Sequence, residues 1–245
     1  MIQNVFYVVL CNLIFNNLDY DSQGIDSRKG VIVYLLFGTY YMPNITIRMN
    51  IACERHIIMK ELKEKLYGVH SYFLIKLIIE IPACLIIVTV MIFGTYFFID
   101  LNNEDSGKVF ILFSIGVVMY YHGAVIGIFG GVISNTPHMA SSVGNTFSSI
   151  LTIFSGLFTN PEIGPEATRW FRFLMPLFFL RNAALINEFD GLDYDDDVNP
   201  KPKERYNYDG TIEGNIMITF IHLGVAYFAA YVVLRYQIPK MSLSL

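Results

Sequence analysis

Residues 53–76 read CERHIIMKELKEKLYGVHSYFLIK, the densest charge cluster in the first half of the chain, set between two strongly apolar runs. Ile51, Ile58, Leu62 and Leu66 fall on one stripe at helical spacing. Lys60/Glu64 and Glu61/Lys65 are i,i+4 pairs on the polar side. Gly68, just after Tyr67, is a plausible stop, so the pattern predicts an amphipathic helix over 53–67. Such a helix either lies on the cytoplasmic leaflet or acts as a lever docked on a cytoplasmic partner. Periodicity alone does not choose between them.

Working outward, the whole composition points to lipid as the solvent. Of 245 residues 54% are hydrophobic and only 16% charged, with mean hydropathy +0.47, against the quarter or so of charged residues a soluble surface carries. The net charge of −4 says little about partners. Cys11, Cys53 and Cys84 are far apart and form no CxxC, which argues against a disulfide framework or a zinc site. No basic n-region or small-x-small site marks the N-terminus, so no cleavable signal peptide is expected.

A span needs roughly 20 mostly apolar residues. Spans are expected at about 31–49, 73–99, 109–133, 139–158 and 212–234, with a shorter first one at 2–18 interrupted by Asn4, Asn12, Asn16 and Asn17. Residues 171–186 are too short and are broken by Pro176 and Arg181, which fits a re-entrant or interfacial helix. Arg48, Arg55, Lys60, Lys63, Lys65 and Lys76 crowd one loop, with Arg235 and Lys240 near the C-terminus. The other side has only Arg28, Lys29 and Lys108 in short loops. The positive-inside rule puts the charged helix and both termini in the cytoplasm and the acidic EFDGLDYDDDVNP stretch outside.

The motifs then narrow the reading. Glu54-Arg55, Lys60-Glu61, Tyr67-Gly68, Tyr72-Phe73, Lys76 and Glu80-Ile81-Pro82 follow in order. Further on come Phe154-Ser155-Gly156, Asn160-Pro161, Trp170, Pro176, Asn187-Glu188-Phe189 and Gly191. From about Val5 to Pro239 this resembles the ABC-2 type transmembrane domain of G-subfamily (White-type) ABC transporters. The resemblance implies a permease half, with a transmembrane domain over 1–239, a coupling helix at 53–67, an external re-entrant segment and loop at 159–211, and a tail at 240–245. It implies that Glu54, Arg55, Lys60, Glu61 and Tyr67 meet an ATPase domain. It also implies a cargo cavity lined by Phe37, Tyr41, Ser148, Ser149 and Thr152, closed outward by a Leu157–Phe158 plug. Aromatic rings and hydroxyls suit flat apolar molecules, although aromatics are 15% of the chain and most face lipid or other helices.

No GxxxxGK[ST] occurs, and the glycines of GIFGGVIS at 127–134 read as packing features. The chain is therefore not expected to be an enzyme. ATP and Mg would sit on a nucleotide-binding domain from the same precursor or a separate chain. The expected partners are that domain, a second permease half as homo- or heterodimer, and membrane lipid, with no nucleic acid. Because Met1 lies almost inside the first span, the chain reads as a fragment, a separately encoded permease, or a relative that has lost transport.

Several residues carry two readings. Glu80 reads as an ion pair with Lys76 ahead of a proton site, and His122 as a packing histidine ahead of a relay. Asn44-Ile-Thr46 is a sequon inside a span, where glycosylation is not expected. Pro43 and Pro82 would kink their helices. Asp193, Asp195, Asp196 and Asp197 lack the Gly and final Glu of an EF-hand, so a solvated loop is expected with no metal.

The resulting expectation is an all-α, multi-pass membrane protein with six transmembrane helices. Its expected role is the permease half of an exporter of lipid, sterol or amphipathic small molecules. The alternative is an accessory or structural membrane subunit derived from such a permease.

Overall fold

The computed structural model describes residues 2–15, 18, 20–102, 105–156, 170–192, 198 and 200–241. Among these the chain is helical and without strands: α1 (Ile2–Ile14), α2 (Ser22–Lys63), α3 (Val69–Ile99), α4 (Gly107–Ile133), α5 (Pro137–Phe154), a 3-10 turn (Trp170–Leu174), α6 (Pro176–Phe189), α7 (Pro202–Tyr206) and α8 (Ile212–Met241).

Caps and prolines set most of the starts. Asp21 accepts from the Gly24 amide at 2.7 Å to open α2. Thr136 accepts from Met139 N at 3.2 Å ahead of Pro137, the first residue of α5. Pro176 likewise opens α6. Sequence reading treated Pro176 as a breaker of the 171–186 segment, but it occupies the first helical position, where its missing N–H costs nothing. Arg181 then lies inside an unbroken fourteen-residue helix.

The α2 helix differs most from expectation. It begins at Ser22 rather than 31 and runs on to Lys63, so 53–67 is no separate helix. Between Met49 and Lys63 there is no Gly or Pro to interrupt it. The stop is not Gly68 either. Lys65 takes the left-handed conformation (φ 56°), Leu66 N bonds to Glu61 O at 3.1 Å and Lys65 N to Leu62 O at 3.3 Å. These two bonds make a Schellman closure, and Gly68 instead caps the start of α3. The helix also runs through Pro43, as α3 runs through Pro82.

Among the described residues four helices are long and apolar enough to cross a membrane: Ser22–Ile58, Val69–Ile99, Gly107–Ile133 and Ile212–Tyr236. The thirteen-residue α1 and eighteen-residue α5 fall outside that set. The chain is thus an all-α, multi-pass integral membrane protein. Its α3 and α8 expose Ile75, Ile78, Phe98, Phe220, Val225 and Phe228, as lipid-facing surfaces do.

The core is α4, packed against α2, α3, α5, α6 and α8. Gly123, Gly127 and Gly131 form its face toward α2. A Cβ at these positions would lie 2.1 Å from Tyr40 O, 2.8 Å from Asn44 O and 2.8 Å from Ile51 Cβ respectively. Small residues at four-residue spacing let two helix backbones touch where no hydrophobic effect drives them together. This is the packing role expected of the GIFGGVIS glycines.

Candidate functional site

The bundle has a basic end, where α2 turns into α3, and an opposite end built from the start of α2 and from α6. At about 1.5 Å per residue a forty-two-residue helix is about 63 Å long, twice the roughly 30 Å hydrocarbon core. The helix is therefore longer than the hydrocarbon core, and its charged residues gather in its last turns.

On those turns Glu54 and Lys60 are exposed, and Ile57 is 61% exposed on the same side. Glu61 is half-buried and accepts from the Tyr67 hydroxyl at 2.8 Å. The Tyr67 ring stacks on Tyr72. Burial, then the Glu61 hydrogen bond and charge, push the Tyr67 phenol up to about 12. Arg55 points the other way. It is 8% exposed, and its Nη1 donates to Val132 O at 2.9 Å and to Ser134 O, while Nη2 donates to Asn135 Oδ1 at 3.0 Å. Expected on a docking surface, Arg55 instead caps the C-terminus of α4, whose last carbonyls have no intrahelical donors.

Further along α2, Tyr40, Asn44 and Arg48 share a face against α5. Asn44 Nδ2 donates to Ser148 Oγ at 2.8 Å, and Arg48 donates to Asn44 Oδ1 at 3.2 Å and Asn145 Oδ1 at 2.7 Å. Gly144 makes room for the guanidinium, since a Cβ there would lie 1.9 Å from Arg48 Nη1. Of the expected cavity residues, Ser148 and Thr152 are buried in this seam, with Thr152 bonded to Ser148 O at 2.7 Å. Phe37 and Tyr41 are half-buried and stacked at 4.2 Å, and Ser149 is exposed. The five thus divide between an internal seam and an accessible face. Leu157, Phe158 and the aspartates at 193–197 lie outside the described residues.

The remaining polar residues resolve simply. The Tyr120 hydroxyl donates to Glu80 at 2.9 Å, and no Lys76–Glu80 pair forms among the described residues. His122 Nδ1 sits 3.0 Å from Val118 O, four residues back in its own helix, in a fully packed position. The fully buried Asn44 offers no glycosylation site. Cys11, Cys53 and Cys84 are free thiols.

At the opposite end Arg28 Nη1 donates to Glu188 Oε1 at 2.9 Å. Asn102 N donates to both oxygens of the same carboxylate at 3.2 Å. Arg181 of α6 donates to Gly156 O and Tyr206 O, each at 2.7 Å. These buried cations and Arg48 went unnoticed as sites in the sequence. The signal available was an arginine inside an apolar run.

A bundle of long apolar helices with a charged helix–turn–helix at one end defines a helical integral membrane domain. The chain belongs to the ABC-2 type transporter family, whose profile matches residues 1–189. It is 29% identical over 189 residues to ABC transporter G family member 22 of Dictyostelium discoideum, covering 76% of this chain and 30% of that protein. It is 27% identical over 177 residues to ABC transporter G family member 20 of Arabidopsis thaliana, covering 72% of this chain and 24% of that one. ABC transporter G family member 5 of Arabidopsis thaliana matches 96% of the chain at 25% identity, over 37% of its own length. The chain therefore spans 24% to 37% of these relatives and corresponds to a membrane domain, not to an ATPase domain.

Proposed function

We propose that this domain is the permease half of an ATP-driven exporter of lipid, sterol or amphipathic small molecules. In this reading it crosses the membrane six times with the basic end in the cytoplasm, and pairs with a second permease half as a homo- or heterodimer. It docks through Glu54, Lys60, Glu61 and Tyr67 on a nucleotide-binding domain that holds ATP and Mg. The observation that carries the reading is the unbroken α2. One continuous helix carries the charged turns beyond its apolar run and is pinned through Arg55 to the end of α4. A push on those turns would move α2, α4 and the α4–α5 corner together. Cargo would pass along the α2/α5 face carrying Phe37, Tyr41 and Ser149, with Leu157 and Phe158 as the outer plug.

The test is cargo-stimulated ATP hydrolysis in a reconstituted complex with the ATPase domain that co-purifies from native membranes. Glu54→Ala should abolish the stimulation and Glu61→Ala should reduce it, each leaving the thermal unfolding profile intact. Full stimulation in both variants would overturn the docking role. Absence of any co-purifying ATPase would favour an accessory membrane subunit.

A further inference from the structure

The fully buried arginines are compensated unequally. Arg28 has the Glu188 carboxylate, and Arg181 has backbone carbonyls of Gly156, Tyr206 and Asn207. Among the described residues Arg48, 1% exposed, donates to two neutral amide oxygens, of Asn44 and Asn145. No carboxylate pairs with it among the described residues. Its Nε, like those of Arg28 and Arg181, has no partner among the described residues. A buried guanidinium in an apolar bundle is costly without a counter-charge.

The charge also has an outlet. Asn145, which takes Nη2, is exposed on α5 beside the exposed Ser149. Moving that one amide aside opens Nη2 to whatever lies on the α2/α5 face. An incoming acid would replace a neutral acceptor with a charged one, making a shorter and roughly twice stronger hydrogen bond.

We propose that the α2/α5 face binds anionic amphiphiles, an acidic group on an apolar chain, with the acid displacing Asn145 Oδ1 from Arg48 Nη2 and the chain lying along the stacked Phe37 and Tyr41. The proposal rests on the reading of this face as cargo-facing and adds the charge of the cargo.

Binding of radiolabelled oleate and oleyl alcohol is measured on the whole chain in phosphatidylcholine nanodiscs, so that the added acid is the only net anionic amphiphile. Oleate should bind at least about tenfold tighter than the alcohol. Asn145→Asp, which places a carboxylate permanently on Nη2, should erase that preference with no loss of thermal stability. Arg48→Lys should keep part of it. Competition by phosphatidylglycerol would support a bilayer phosphate headgroup as the source of the acid, and its absence a free single-chain acid. Equal affinity for acid and alcohol, or an undiminished preference in Asn145→Asp, overturns the proposal. If both probes bind equally and Phe37→Ala weakens both, the cargo face stands and only the charge preference falls. If neither binds, both readings fall.

Discussion

Arg28, near the start of α2, and Glu188, near the end of α6, meet at 2.9 Å with both side chains 2% exposed. The pair joins residues 160 positions apart and closes the end of the bundle opposite the basic turn. The Glu188 carboxylate also receives Asn102 N, and Arg28 reaches Leu18 O at 3.1 Å. Removing one partner of such a pair leaves an uncompensated buried charge, which costs about 3–5 kcal/mol. Arg28→Ala and Glu188→Ala should each sharply lower the unfolding midpoint in detergent. The double variant Arg28→Ala/Glu188→Ala should lose less than the two single changes added together. Strict additivity in the double-mutant cycle would show that the pair is not coupled.

Arg55 ties α2 to α4 by charge-assisted bonds to Val132 O and Ser134 O. Arg55→Ala should leave buried carbonyls unmatched at about 1–3 kcal/mol each. Hydrogen exchange should then quicken at the end of α4 and in the α4–α5 corner, leaving the amides of α6 and α8 as they are. Uniformly faster exchange across the bundle would mean that Arg55 supports the whole fold rather than one joint.

The glycine seam makes a paired prediction. A Cβ at Gly123 would sit 2.1 Å from Tyr40 O, whereas one at Gly224 in α8 meets nothing within 4 Å. Gly123→Ala must therefore part α2 from α4, at about 1–3 kcal/mol or more. Gly224→Ala should be neutral or stabilising by up to about 1 kcal/mol, because alanine is the better helix former. Equal unfolding midpoints for the two variants would sink the close-contact account.

How much of this was legible in the sequence differs from feature to feature. Apolar runs announced the helical membrane class, since a stretch such as 73–99 has no other stable solvent. The family was readable in the Glu54–Pro82 and Phe154–Gly191 motifs. The continuity of α2 was not, because a switch from apolar to charged residues around Cys53 looks like a new element while the backbone bonds ignore side-chain polarity. The direction of Arg55 was hidden for a related reason: its partners are carbonyls of residues 132 and 134, and carbonyls have no sequence signature. Asn44 and Arg48 were visible as residues but were read for glycosylation and topology. Their meeting with Asn145 and Ser148 depends on Gly144 being small, a contact between distant positions that no local pattern encodes.

Glu61 and Tyr67 supply a pH-dependent test at the basic end. The phenol is raised from its ordinary 10.0 to about 12, chiefly by burial and then by Glu61. A group whose folded pKa is raised contributes stability that is full below pH 10 and is lost as the pH climbs toward 12. The Tyr67–Glu61 bond should therefore be constant through the physiological range. In a tyrosinate difference titration against Tyr67→Phe, the Tyr67 signal should move down toward 10 in Glu61→Gln, stopping short of it because burial remains. An unmoved signal would show that Glu61 does not hold the hydroxyl. If the signal moves, one acceptor of Glu61 is committed to its own turn at all cellular pH values. Glu54, exposed and outside that bond, then keeps its carboxylate for a docking partner, and Glu54→Ala should impair coupling more than Glu61→Ala.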